Sequence, residues 1–397
     1  MKFSHIADVH LGNWRDHTLK ELGVQAFEKA IDESVKEKVD FVLIAGDLFN
    51  TALPGIDFVK VAIKKLKQLN EKGISVYYIA GSHDFSPTGK TMLDVIEESG
   101  LGINVMKGEV ENNTFKPEFV VDSKTGVKIT GIAGLKGSLD SKYYDGLDLN
   151  SLEREDGFKI FMFHTTINEL NPKKEIEGYS LNSLPKNFDY YAGGHVHVVE
   201  EKSFDKYKNV VYPGPLLPAN FEEFEKLKFG NFMIYDNGKV IKKSIKLKDV
   251  KILHFDFTGL DVSEANVKLK KAEEDDFSDK IVLIRVEGEM KESPRGLDFK
   301  GLIHKISSEA YNVMKNTSKL VGKEFKIETI KSNTDDVEQE LIKKHLNQQK
   351  HPFTNEEEAI TELMKHLNQQ KHEGETVNDY NERMKKEINT ILDSLQG

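Results

Sequence analysis

Over roughly the first 245 residues, short apolar runs rich in β-branched side chains alternate with longer stretches whose apolar positions recur every three or four residues. The runs Lys2–Ile6, Phe41–Ala45, Val76–Ala80, Lys159–Phe163 and Tyr190–Ala192 have the length and character of buried strands. Leu19–Lys38 carries Leu22, Ala26, Phe27, Ala30, Ile31 and Val35 at helical spacing, and Phe58–Leu69 repeats the pattern with Val59, Ala62, Ile63 and Leu66. This alternation predicts a layered α/β fold. Phe232–Val240 reads as two strands around the Asn237-Gly238 turn. The pattern then resets. Lys251–Phe257 and Lys280–Val286 read as strands and Gly301–Val313 as a helix, which predicts a small α+β domain over 250–330.

From residue 335 the chain becomes rich in Glu, Lys and Gln, and the octapeptide at 344–351 recurs at 365–372. Three amphipathic stretches follow one another, marked by Val337, Leu341, Ile342 and Leu346, by Ile360, Leu363, Met364 and Leu367, and by Met384, Ile388, Ile391 and Leu395. Narrow apolar stripes on short helices cannot build a large core alone. They predict a helical segment, 335–397, that docks on a partner; a poorly ordered acidic tail is the other reading. The segment holds 14 acidic and 8 basic side chains, so it favours a partner surface that tolerates negative charge over direct contact with a polyanion.

A chain of 397 residues exceeds one ordinary core, and the pattern divides it at 1–245, 250–330 and 335–397. The absence of cysteine excludes disulfides, thiolate zinc sites and thiol nucleophiles. With 31% charged residues, no leader-like start and no apolar run near membrane-spanning length, a cytoplasmic protein is expected. The net charge of −10 argues against a whole-surface embrace of nucleic acid, although a bound metal pair would still hold phosphate.

The candidate chemistry sits just beyond the apolar runs. Asp8-Val9-His10, Gly46-Asp47, Gly81-Ser82-His83-Asp84, His164 and Gly194-His195-Val196-His197 each fall where a buried strand would end. In layered α/β sheets, sites form outside the carboxyl ends of the strands. Carboxylates and imidazoles delivered to one rim could bind two divalent metals, the chemistry of phosphoester hydrolysis. Each motif alone is weak; their ordered combination is specific. His5, His17, His254, His304 and the tail histidines are read as core or surface residues.

In this order the motifs resemble those of the calcineurin-like metallophosphoesterases. The opening Phe3-Ser4-His5-Ile6-Ala7-Asp8-Val9-His10-Leu11-Gly12, with Gly46-Asp47-Leu48-Phe49 and Tyr212-Pro213-Gly214, is similar to the Mre11 (SbcD-like) nucleases of archaeal type. The resemblance covers residues 1 to about 220. It implies a layered β-sandwich flanked by helices, a small α+β capping domain and a C-terminal helical segment that binds a Rad50-type ATPase. It further implies that Asp8, His10, Asp47 and His197 hold one metal, and that Asp47, Ser82, His164 and His195 hold a second, with Asp47 bridging. Two Mn²⁺ ions are implied, although Mg²⁺, Fe²⁺ or Zn²⁺ would also suit parts of this mixed ligand set. His83 is left outside the ligands as the general acid.

Two positions depart from the family pattern. Ser82 stands where an Asn amide usually ligates, and Asn50 stands where relatives often carry a supporting His. The resemblance implies duplex-end exonuclease and single-strand endonuclease action in double-strand break repair, near the nucleoid of a prokaryote. Asn13-Trp14-Arg15 are the candidate DNA contacts, with Trp14 packed on the domain surface as the other reading. A homodimer is implied through helices after the second and third motifs, where Met92, Leu93, Val95 and Ile96 supply apolar side chains. The residues alone leave two alternatives open: a small-ester phosphatase or phosphodiesterase, and a DNA-end-binding scaffold with a weakened nuclease.

Overall fold

In the computed structural model the five apolar runs become inner strands of two six-stranded sheets. The structure describes residues 1–86, 90–135, 139–171, 178–322, 356–367, 369 and 377–394, in two units, Met1–Glu324 and Phe325–Gly397. In chain order the strands are β1 (Lys2–Ile6), β2 (Phe41–Ala45), β3 (Ser75–Ile79), β4 (Ile103–Asn104), β5 (Lys107–Glu111), β6 (Thr114–Glu118), β7 (Val120–Val121) and β8 (Lys128–Ile132). They continue with β9 (Lys159–His164), β10 (Tyr190–Gly194), β11 (Glu200–Phe204), β12 (Tyr207–Tyr212), β13 (Gly230–Asp236) and β14 (Lys239–Ile245). The first sheet has the order β14-β13-β1-β2-β3-β4 and the second β11-β12-β10-β9-β8-β7. Parallel pairing joins β1, β2, β3 and β4 in one sheet and β8, β9, β10 and β12 in the other, so the rim of each sheet gathers several carboxyl ends.

Phe3, Phe41 and Tyr77 from the first sheet interleave with Ile129, Ile160, Met162 and Tyr190 from the second in one core. On the outer face of the first sheet, α1 (His17–Lys36), α2 (Ile56–Glu71) and α3 (Met92–Glu98) cover Ile6, Val42, Ile44 and Val76. The outer face of the second carries α4 (Ser141–Asp145) and α5 (Leu149–Arg154) over Phe161, Phe163 and Tyr191. Strands buried on both faces need continuous rather than alternating apolar sequence. That is why these runs stand out in the sequence. Of the residues expected to form an apolar patch on α3, Leu93 and Ile96 are buried in the core and Met92 packs against it; Val95 is half exposed.

A second domain follows β14. Parallel strands β15 (Val250–Asp256), β16 (Ile281–Met290) and β17 (Asn312–Gly322) pack against α7 (Val262–Lys271) and α8 (Phe299–Ser307), counting α6 (Phe221–Leu227) in the preceding loop. The helix expected across Gly301–Val313 stops at Ser307, and a strand begins at Asn312. Tyr311 to Met314 extends the helical spacing of apolar residues, but the register with β16 draws this segment into the sheet, a tertiary override of local pattern. The two domains share a cluster in which Leu19, Leu22 and Phe224 meet Ile281 and Leu283. The Tyr311 hydroxyl also donates to the Thr18 carbonyl at 3.1 Å.

The second unit contains helices Glu356–Leu367 and Val377–Ser394. They are tied by His366 Nδ1 to Glu387 at 2.9 Å, and by Tyr380 and Arg383, which donate to Gln369. Met384 is buried. The first expected amphipathic stretch, 337–346, lies outside the described residues, as does the first octapeptide copy. No described helix is long and apolar enough to cross a membrane.

His5 is fully buried between the sheets, with Nδ1 3.0 Å from the Tyr190 hydroxyl, and burial pushes its pKa down to about 3. The unfolded chain binds this proton near pH 6.5 and the native protein does not. The native state is therefore destabilised relative to the unfolded chain as pH falls from 6.5 toward 3, by about 5 kcal/mol in full. His5→Asn should flatten the decline of urea-unfolding free energy between pH 6.5 and 4; parallel curves would show that other groups set it.

Candidate metal centre

The site lies on loops at the carboxyl ends of β1, β2, β3, β9 and β10. Asp8, His10, Asp47, His195 and His197 all have positive φ, between 47° and 96°. Non-glycine residues in such conformations cost of order 1–3 kcal/mol each and persist where the surroundings impose them. Here the surroundings are mutual hydrogen bonds. The Asp8 N–H donates to Gly46 O at 3.2 Å and the His10 N–H to Asp47 O at 2.9 Å. The His83 N–H donates to Asp47 Oδ1 and the His195 N–H to Asp8 Oδ1, both at 2.8 Å. Asp84 accepts from the N–H groups of Leu48, Phe49 and Gly81 at 3.0–3.2 Å, and so staples the loop after β2 to the loop after β3. Gly81 is required at that crossing: a Cβ would come within 2.1 Å of Asp47 Oδ1.

The ligand-type atoms converge. Those of Asp8, His10 and His197 lie within 4.8 Å of one another, as do those of His10, Asp47 and His83, and of Asp8, Asp47 and His164. Asp8, His10 and Asp47 each belong to two of these groups. The Nε2 atoms of His10 and His197 are 3.0 Å apart, and Asp47 Oδ2 is 3.2 Å from His164 Nε2 and 3.5 Å from His10 Nε2. Three rings are held from behind by acceptors. His164 Nδ1 donates to Ala45 O at 2.8 Å, His83 Nδ1 to Asn50 O at 2.9 Å, and His197 Nδ1 faces both Glu223 oxygens at 3.1 Å. A carbonyl accepts only, so the Nδ1 atoms of His164 and His83 carry the hydrogen and Nε2 remains for the centre.

The electrostatics suit a cation. Asp8 and Asp47 are 1–2% exposed, and no Lys or Arg is paired with either among the described residues. Burial pushes the Asp8 carboxyl up. Burial would do the same to Asp47, but His164, His10 and the His83 N–H hold it well below the usual carboxylate range. Burial lowers His164, yet Asp47 and Asp8 outweigh it and carry its pKa up to about 10. Burial drives His10 down to about 3 and His195 to about 4. Burial and the neighbouring Asp47 push Asp84 up to about 7. His164 Nε2 and His10 Nδ1 are buried with no partner in hydrogen-bonding geometry. Buried carboxylates whose partners are imidazoles rather than Lys or Arg form a donor set that fits divalent metal ions.

Not every expected residue joins these groups. The His195 ring packs edge-on against His164 at 5.2 Å but belongs to none of the three close groups. Ser82 lies half-buried between Gly81 and His83. His83, expected beside the ligands, presents a ligand-type atom within 4.8 Å of those of His10 and Asp47. Of the three candidate DNA contacts, Arg15 is exposed. Trp14 packs at 5.9 Å on Phe224 with its indole nitrogen buried, and Asn13 donates to Ala219 O at 3.4 Å. The sequence reading missed Glu223. Asn220 followed three residues later by Glu reads as helix capping, and nothing local shows that this carboxylate reaches His197.

A family model described as calcineurin-like phosphoesterase matches residues 1–199, half of the chain. Proteins described as DNA double-strand break repair protein Mre11 are similar along half of it or more. That of Archaeoglobus fulgidus is 28% identical over 64% of this chain and 58% of its own length. That of Methanococcus maripaludis is 31% identical over 50% and 52%, and that of Methanocaldococcus jannaschii 29% over 68% and 71%. The chain thus spans little more than half the length of the first two relatives.

Proposed function

The chain belongs to the calcineurin-like phosphoesterase family, and from that premise we propose that it is a divalent-metal-dependent DNA nuclease acting in double-strand break repair. The observation that carries the reading is the convergence of Asp8, His10, Asp47, His164 and His197 atoms, with Asp8, His10 and Asp47 each common to two groups. In this reading Asp8, His10, Asp47 and His197 would hold one Mn²⁺, and Asp47, Ser82, His164 and His195 would hold a second. The bound cations would polarise a phosphodiester and lower the pKa of the attacking water. As an imidazolium, with Nδ1–H donated to Asn50 O, His83 would carry its second proton at Nε2 and deliver it to the leaving oxygen, becoming a neutral ring. That carbonyl orients the ring at the position where relatives often place a supporting His.

The choice of DNA as substrate draws on the similarity to the archaeal Mre11 proteins. Incubation with Mn²⁺ and three substrates tests it: linear duplex, single-stranded circles and a p-nitrophenyl ester. Degradation of both DNAs with slow ester hydrolysis is expected. Rapid ester hydrolysis with intact DNA would make the protein a small-ester phosphatase, and DNA binding without cleavage a scaffold.

Ser82 bears on the second metal. A hydroxyl is a poorer donor than an oriented amide carbonyl, so Ser82→Asn should lower the Mn²⁺ concentration for half-maximal activity several-fold. An unchanged requirement would mean that Ser82 is no handicap.

For partners, the reading includes a homodimer, favoured by the exposed Leu53, Ile56 and Val95 around α2 and α3, and a Rad50-type ATPase on the C-terminal helices. Co-purification of the ATPase with the full chain and its loss from residues 1–334 is the expected pattern. Undiminished binding by the shorter chain would move the docking site elsewhere. A cytoplasmic, nucleoid-associated location goes with this role.

A further inference from the structure

One imidazole at the centre is gripped from outside the ligand set by a carboxylate. Both Glu223 oxygens lie 3.1 Å from His197 Nδ1, and the same carboxylate accepts from the Ala219 N–H at 2.8 Å and from Asn220 Nδ2 at 2.7 Å. With Nδ1–H donated to Glu223, Nε2 of His197 is left facing His10 Nε2 at 3.0 Å and Asp8 Oδ1 at 3.9 Å. Glu223 sits on α6, and three other residues of that helix contact the second domain. Glu225 takes a two-pronged ion pair from the buried Arg285 of β16, with Nε to Oε1 at 3.0 Å. The Arg285 guanidinium lies 4.7 Å over the Phe221 ring, and Phe224 is buried with Trp14, Ile281 and Leu283. A helix of seven residues therefore holds His197 at one position and the second domain at three others.

We propose that Glu223 is a positioning residue for the metal centre, and that α6 makes its grip on His197 depend on the docking of the second domain. This rests on the reading of His197 as a metal ligand. A carboxylate behind a ligating His fixes its tautomer and ring orientation, and its loss typically weakens metal binding 10–100-fold. A shift of β16 would be transmitted through Arg285 and Phe224 to α6 and would draw the carboxylate away from Nδ1. Trp14 has its place in the same linkage, as a packing residue against Phe224.

The simpler role for Glu223 is capping, since Asn220 Oδ1 accepts the Glu223 N–H at 3.0 Å and Glu223 takes the Ala219 N–H in return. Titration calorimetry of Mn²⁺ into the metal-stripped full chain, with thermal melts of the metal-free forms, separates the two. Glu223→Leu should raise the Mn²⁺ Kd about 10- to 100-fold, and the isosteric Glu223→Gln, which keeps a neutral acceptor, by less. Arg285→Met, which touches no ligand, should raise it between about 2- and 30-fold. Lower melting temperatures with an unchanged Kd in both Glu223 variants would overturn the proposal in favour of capping. A raised Kd in Glu223→Leu with none in Arg285→Met would overturn the link to the second domain. Wild-type chain that binds no Mn²⁺ would instead overturn the metal-centre reading itself, so the two failures are distinct.

Discussion

Asp47→Ala is expected to abolish Mn²⁺-dependent hydrolysis, a loss of at least about 10³-fold, while the fold survives. Asp47 shares one close group with His10 and His83 and another with Asp8 and His164, so its removal should weaken both proposed metal positions together. Cations at such a site supply several kcal/mol of transition-state charge stabilisation, which sets the scale of the loss. Asp47 also accepts the His83 N–H, so alanine would loosen the loop carrying the proposed acid. The Asp84 staple is untouched and still joins the loops after β2 and β3, which is why native circular dichroism and a cooperative melt are expected. Activity is read at saturating Mn²⁺ on end-labelled duplex. Substantial hydrolysis by Asp47→Ala would rule out a centre built on a shared carboxylate.

His83→Ser should cost about 10²- to 10⁴-fold in rate, the usual contribution of a positioned general acid, with both metals retained. Geometry makes this a sharp test, because a ligand-type atom of His83 lies within 4.8 Å of those of His10 and Asp47. If the ring is instead a ligand, elemental analysis of the variant will show a missing metal. Its Nδ1 bond to Asn50 O keeps the ring aimed without any supporting side chain, so Asn50→Ala should be nearly silent. A large loss in Asn50→Ala would show that the Asn50 side chain, not the backbone, performs this work.

The fold was legible where burial is two-sided. Phe41–Ala45 is apolar throughout because one face meets the second sheet and the other meets α1 and α2. The site was legible in outline because each chemical motif ends such a run. What stayed hidden works through tertiary contact. Gly301–Val313 reads as one helix until β16 recruits its last residues. Asp84 has no visible role until its oxygens are seen to meet three N–H groups on two loops. Glu223 lies 26 residues from His197 in sequence, on a helix whose local pattern signals only a cap. Trp14, beside a cation and next to a phosphate-type motif, suggested a surface for DNA; Phe224, more than two hundred residues later in sequence, takes that ring into the domain interface.

Manganese counted on the metal-stripped and reloaded full chain bears most directly on the centre itself. Plasma mass spectrometry after equilibrium dialysis against saturating Mn²⁺, paired with calorimetric titration, should give two Mn²⁺ per wild-type chain and fewer than one in Asp47→Ala. Wild-type chain that takes up one ion or none, or an Asp47→Ala chain that still holds two, would contradict a dinuclear centre bridged by Asp47.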